Sequence, residues 1–458
     1  MNSASSPNNW KQKILYGNKN YKLTLSERKK RDEEAKTRNS TIQQQIQRYK
    51  EKLHSKIRGE MIDFLQEIHT LVFSGGGVLG TGFLGALSAC IDYGLVLKKI
   101  RKYAGVSAGS ICAALLAVGY SASELYEVLE RCDFSQLVKV QWTRVSKIAC
   151  SCLAHSEVGI NSGDRLYRWI GQLIAKKTGV ANLTFHQLKS RYHKDLIIVA
   201  TAVDSFEKIL LCAKNYPEME IALAVRASSS IPGIYEPVEY ANHLLVDGGL
   251  LDNYPLDVVT PSHQVLGFRI TDKSNMEREL RAEFVEGLAI VDAETFDRTR
   301  HRILEEAGIL EDMEGIDKYG SDDGRYSFLN RVVSCMMWEL ERLQIYRNIK
   351  GRTIYVNSGK YSFLQLKLTK EEKMELFLLG YRSCLCSLQL IMEMEPDLSR
   401  LGACSFRVDR FLQQTNGLES TEPSSLSSAT ISLPLPPPSS SLLLMPVIEE
   451  NSQENSRM

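Results

Sequence analysis

Tyr103-Ala104-Gly105-Val106-Ser107-Ala108-Gly109-Ser110 is the stretch on which the reading of this chain turns. It has the pattern Gly-x-Ser-x-Gly, centred on Ser107. A short strand, Ile100 to Ala104, leads in, and the apolar run Ile111 to Val118 leads out as a helix. Ser107 is therefore expected on a sharp turn between strand and helix. Such a turn crowds the backbone, and Gly105 and Gly109 lack the Cβ atoms that would clash. The serine Oγ is left exposed, with helix-end N–H groups aimed at whatever it attacks. The pattern alone also fits a packing turn of small residues, so its neighbours have to decide.

Upstream, His69 to Phe73 reads as a strand that runs into Ser74-Gly75-Gly76-Gly77-Val78-Leu79-Gly80, and a helix follows from Phe83 to Tyr93. Strand, glycine loop and helix make a turn that can present backbone N–H groups to an anion. Gly75-x-Gly77-x-x-Gly80 also fits a dinucleotide fingerprint. The acidic residue expected about 20 positions later is missing, as is a Walker lysine, so nucleotide binding is not expected. One unit ahead of a nucleophile, a glycine loop suits an oxyanion hole, where each donor contributes about 3 kcal/mol.

Downstream, Leu244-Leu245-Val246-Asp247-Gly248-Gly249-Leu250-Leu251-Asp252-Asn253-Tyr254-Pro255 places an acid at the end of an apolar strand. The two glycines let Asp247 approach another backbone closely. An ordinary Asp-Gly turn is the alternative, but an elbow serine needs a base, and Asp247 lies in the same apparent domain.

The three motifs in this order resemble the patatin-like phospholipase family. Ala227-Ser228-Ser229-Ser230-Ile231-Pro232-Gly233 and Tyr254-Pro255 are similar to it as well. The resemblance covers roughly residues 68–390. It implies an α/β fold, a three-layer α/β/α sandwich on a mostly parallel sheet, with a Ser–Asp dyad that cleaves acyl esters of phospholipids or acylglycerols. On that resemblance Ser107 is the nucleophile and Asp247 the base. Gly75, Gly76 and Gly77 line the oxyanion hole, while Gly80, Gly105, Gly109, Gly248 and Gly249 support the motifs. No cofactor or metal is implied. Many members carry Lys or Arg where this chain has Leu79, so the loop here would rely on backbone donors. Two rival readings stand beside this one. A Ser-His-Asp esterase would draw its histidine from His263 or His301, and a catalytically silent lipid-binding or scaffold protein would use the basic N-terminal region.

The remaining text bounds these readings. The 458 residues carry a net charge of +1, but residues 1–60 hold 15 basic and 6 acidic side chains. That local excess favours anionic surfaces. Residues 1–67 read as a basic, largely helical extension, either solvated or docked on a membrane or partner. Residues 68–390 read as the catalytic domain and 391–413 as a short extension. Residues 414–458, rich in Ser and Pro, read as disordered. Ten scattered cysteines form no Cys-x-x-Cys pair and are expected as thiols of a reducing compartment. The acidic run 317–323 lacks the alternating oxygen ligands of a calcium loop. Neither a signal peptide nor a spanning helix is expected, so the protein is read as cytoplasmic with peripheral membrane contact. A nucleic-acid partner is not expected, and the oligomeric state is left open.

Further helices are expected over Ala122–Asp133, Ser162–Lys177, Ile221–Ala227, 277–316, 325–349 and Thr369–Leu390. Further strands are expected over Asp195–Val203, Gln264–Thr271 and Arg352–Val356, while 228–238 reads as a turn-rich wall.

Overall fold

The computed structural model describes residues 25–138, 161–259, 264–271, 293–307, 352–363 and 365–394. The acidic run 317–323, the expected helix over 325–349, His263 and the tail from 414 lie outside these residues. So do Cys150 and Cys152.

Among the described residues eight strands form one mixed sheet: β1 Thr70–Phe73, β2 Lys102–Val106, β3 Asp195–Ala202, β4 Glu207–Cys212, β5 Val238–Tyr240, β6 His243–Asp247, β7 Val265–Thr271 and β8 Arg352–Asn357. The order is β5-β6-β3-β2-β1-β7-β8, with β4 paired to β3. From β3 to β8 every neighbour is parallel; β4, β5 and β6 pair antiparallel. Central parallel strands are covered on both faces, which is why they read as continuous apolar runs. In β1, Leu71 and Phe73 enter the larger core while Val72 enters a smaller one with Ala104, Tyr254, Leu256, Val259 and Val265. This alternation marks a strand buried from both sides, the middle layer of an α/β/α sandwich.

The helices are α1 Leu25–Lys52, α2 Ser55–Gln66, α3 Thr81–Asp92, α4 Ala108–Ala117, α5 Ala122–Arg131, α6 Phe134–Leu137, α7 Asp164–Thr178, α8 Phe185–Tyr192, α9 Ile221–Ser228, α10 Ala293–Glu306 and α11 Lys370–Met394. Four elements were absent from the sequence reading, the four-residue helix α6 among them. α8 opens on a capping box in which Thr184 and Gln187 satisfy each other's N–H groups. β4 is a return strand with one half-covered face. β5 is three residues long and turns into β6 through Ala241 and Asn242, both at positive φ, without the glycine that usually announces such a hairpin.

α1 is neither merely solvated nor free for a membrane along its whole surface. Ala35, Asn39, Ile42, Ile46 and Tyr49 recur at intervals of four and three and form its buried stripe, and the helix packs against α11. Because Ala35 and Asn39 are small or polar, the stripe reads faintly in the sequence. Arg31 forks onto Glu372 at 2.7 Å, and Arg38 onto Glu375 at 2.9 Å. Glu375 also accepts the Tyr361 hydroxyl at 2.6 Å. By length and composition α11 could cross a membrane, yet 89% of its most apolar window is buried in the protein. It is a core helix.

The carboxylate of Glu375 is buried and depends on two partners. Arg38→Ala leaves it with one, so the variant is expected to lose about 1–3 kcal/mol of stability in denaturant unfolding. Lys30→Ala, which breaks only an exposed pair with Glu34, should change stability by less than about 0.5 kcal/mol.

Candidate active site

The register of the sheet explains how two residues 140 positions apart meet. β2 runs parallel along β3 and ends with Val106 opposite Val199. β6 runs the other way and ends with Asp247 opposite Ala200. β4 occupies the opposite edge of β3 over the same residues, so β2 and β6 share one edge in succession. Their carboxyl ends therefore converge on adjacent residues of β3, and the next side chain after β2 is Ser107. Gly248 continues the chain past this junction. A Cβ there would lie 2.3 Å from the Val199 carbonyl oxygen and 2.8 Å from Val106 Cγ2, so only glycine fits.

Ser107 is the turn itself. Its backbone sits at φ 50° and ψ −123°, and α4 begins at the next residue. A positive φ in a residue with a Cβ is strained by about 1–3 kcal/mol and needs support from its surroundings. The flanking glycines let the turn close: a Cβ on Gly105 would lie 2.4 Å from the Gly109 carbonyl, and one on Gly109 would lie 2.4 Å from that of Ser74. The elbow read from the sequence is present.

Ser107 Oγ donates to Asp247 Oδ2 at 2.7 Å, and Asp247 Oδ1 accepts the Gly249 N–H at 2.8 Å. Both side chains are buried. Burial pushes the Asp247 carboxyl up to about 6, against the opposing pull of the Ser107 hydroxyl and the Gly249 N–H. Each carboxylate oxygen is engaged, and Ser107 reaches the acid directly, without an intervening imidazole. His301 lies exposed on α10.

The glycine loop lies beside this pair. A Cβ on Gly75 would stand 3.5 Å from that of Ser107, and one on Gly80 would stand 3.5 Å from that of Ala108. Gly75 differs from expectation as a donor, because its N–H is given to the Asn253 carbonyl at 2.9 Å. Among the described residues, the N–H groups of Gly76 and Gly77 have no acceptor. Leu79 is packed with Val78, Tyr361 and Leu376. Among the described residues no cluster of His, Cys, Asp or Glu could hold a metal ion.

Two contributors escaped the sequence reading. Asn253 anchors Gly75, and its neighbour Asp252 is buried and takes Lys208 at 3.0 Å. Ser228 accepts the Ser107 N–H at 2.9 Å. Neither has a motif signal beyond lying near Asp247 or within the serine run.

Residues 71–260 match the family model described as patatin-like phospholipase. This segment is a patatin-like domain. The chain is 34% identical over 190 residues to an uncharacterized protein of Acanthamoeba polyphaga mimivirus, covering 42% of this chain and 61% of that one. It is 30% identical over 196 residues to a protein of Invertebrate iridescent virus 6 named "Probable lipid hydrolase 463L", covering 42% and 64%. The chain thus spans less than two thirds of the length of these relatives. Among solved structures, VipD from Legionella pneumophila is 19% identical with a TM-score of 0.40, covering 70% of this chain and 67% of that one.

Two outcomes follow for the patatin-like domain. Gly109→Ala forces a Cβ against two carbonyl oxygens, so it is expected to unfold the protein at temperatures where the wild type is intact, measured by thermal melting. Asp247→Asn should gain stability relative to wild type as pH rises. The unfolded carboxyl releases its proton near pH 4, whereas the folded one holds it to about pH 6. Through that window rising pH favours the unfolded wild type. The gap should grow by about 2–3 kcal/mol between pH 4 and 6 and then stay level.

Proposed function

We propose that this chain is a lipid acyl hydrolase working through a Ser107–Asp247 dyad and an acyl-enzyme. The observation that carries the reading is the 2.7 Å hydrogen bond from Ser107 Oγ to Asp247 Oδ2 beside a glycine loop with unused donors. The matching family and the relative named a lipid hydrolase support the lipid class of substrate.

The steps use only these groups. Asp247 takes the Ser107 proton as Oγ bonds to the ester carbonyl carbon. Negative charge gathers on the carbonyl oxygen, where the Gly76 and Gly77 N–H groups stabilise it; Gly75 serves the loop's shape, its own hydrogen being committed to Asn253. The C–O bond to the leaving alcohol breaks as Asp247 hands that oxygen the proton. Water then gives a proton to Asp247 and attacks the acyl carbon. The fatty acid departs, and the proton returns to Ser107. A carboxylate is a weak base in water, and the burial that lifts Asp247 to about 6 raises its basicity for this work.

An acyl chain needs apolar walls near the dyad. Ile231 and Ile234 are half-buried just after Ser230, whose carbonyl accepts the Asp247 N–H. The backbone of Phe363 lies against Gly77, and the residue is 36% exposed. These side chains would meet the substrate as it leaves a lipid surface, so the contact with the membrane is peripheral.

The test offers mixed phospholipid and acylglycerol vesicles to wild type, Ser107→Ala and Asp247→Asn, with released fatty acids identified by mass spectrometry. Both variants are expected to fall at least about a thousandfold in kcat. Wild-type kcat/KM should rise through about pH 6 and level off above it, since the ionised acid is the active form. Undiminished release by Ser107→Ala would refute the dyad.

A further inference from the structure

Ser228 closes α9 with its side chain fully buried, and its hydroxyl makes two hydrogen bonds. It accepts the Ser107 backbone N–H at 2.9 Å and donates its own hydrogen to the Val199 carbonyl at 2.6 Å. Val199 is the β3 residue aligned with Val106, the last residue of β2. The hydroxyl therefore ties the elbow to the strand on which both dyad elements converge.

Ser107 needs such a tie, since its φ of 50° is one a side-chain-bearing residue rarely holds alone. Its carbonyl is fixed from within α4, accepting the Ser110 N–H at 2.9 Å and the Ser110 hydroxyl at 2.6 Å. Its N–H is fixed from 121 residues away, by Ser228. With both ends of the residue held, the direction of the Cα–Cβ bond is set, and with it the reach of Oγ.

The same turn holds the other partner. The Ser230 carbonyl accepts the Asp247 N–H at 3.0 Å. Ser230 Oγ takes a hydrogen from Arg226 Nη1 at 2.6 Å and gives its own to the Arg226 carbonyl at 2.8 Å. The buried guanidinium also donates to the Ser162 carbonyl at 2.6 Å. One pinned turn thus grips the backbones of Ser107 and Asp247 two residues apart.

We propose that Ser228 is a positioning residue for the reaction: its hydroxyl, held between the Val199 carbonyl and the Ser107 N–H, sets the elbow from which Ser107 Oγ reaches Asp247. The inference rests on the dyad reading above. Ser228 touches no reacting atom, and its hydrogen is committed to Val199. Ser229, the next residue, is buried and its hydroxyl has no partner among the described residues, which makes it a matched control.

The experiment uses the full chain and compares Ser228→Ala, Ser228→Thr and Ser229→Ala with wild type. The rate of covalent labelling of Ser107 by a fluorophosphonate is measured, with kcat and KM on a soluble ester. Amide exchange of the peptide spanning residues 103–110 is followed alongside. Ser228→Ala should label at least tenfold more slowly, lose at least tenfold in kcat with KM within twofold, and exchange faster at the Ser107 amide. Ser228→Thr, which keeps the hydroxyl, should stay within about threefold of wild type, and Ser229→Ala should match wild type. Should Ser228→Ala fail to fold, Ser228→Cys replaces it, similar in shape and a poor acceptor, with the same slowing expected. Wild-type labelling rates in the Ala or Cys variant would overturn the inference, as would equal losses in the Thr and Ala variants. Failure of the dyad reading looks different: wild type itself would not label at Ser107, and amide exchange would still decide whether the clamp exists.

Discussion

A hydrogen bond between a buried alcohol and a buried carboxylate is the interaction on which the site depends, and the sheet is arranged to make it. β2 and β6 approach from opposite directions along one edge of β3 and end on adjacent residues, Val199 and Ala200. No loop has to reach across a cleft to deliver the base. Strands held by a hydrogen-bonded ladder place side chains more reproducibly than loops do. The separation of 2.7 Å between Ser107 Oγ and Asp247 Oδ2 follows from register.

The arrangement is unfavourable for stability in two ways, both tied to chemistry. Ser107 is held at a backbone angle that side chains avoid, and Asp247 is held where burial opposes its charge. The surrounding structure absorbs both. Glycines at 105, 109 and 248 remove the Cβ atoms that would prevent closure, and the Gly249 N–H gives the carboxylate a second donor. Farther out, α1 and α11 lock together through Arg31–Glu372 and Arg38–Glu375. Tyr361 carries that lock toward the glycine loop, where the Phe363 carbonyl accepts the Val78 N–H at 3.3 Å. α1 and α11 thus bear on the glycine loop through Tyr361 and Phe363.

Much of this was legible in the residues. Gly105-Val106-Ser107-Ala108-Gly109 announced the turn because only glycine survives such close backbone approach, and the apolar runs of β3 and β7 announced strands covered on both faces. What stayed hidden has a physical reason in each case. β5 is too short to show alternation, and its turn uses Ala241 and Asn242 in place of glycine. α1 buries Ala35 and Asn39 where a stripe of large apolar residues would have been visible. The loss of Gly75 as a donor could not be read at all, because Asn253 reaches it only through the fold. Ser228 was visible as one serine among three, and nothing in the sequence distinguished the one that binds the elbow from the one whose hydroxyl has no partner among the described residues.

The central claim is that Ser107 carries the acyl group during turnover. It is tested most directly by quenching the full chain in acid during hydrolysis of an ester lipid and mapping the peptides by mass spectrometry. The acyl mass should be found on the peptide containing Ser107 and should vanish as substrate is exhausted. Continued release of fatty acid with no acyl adduct at Ser107, or with the adduct on another side chain, would contradict the account.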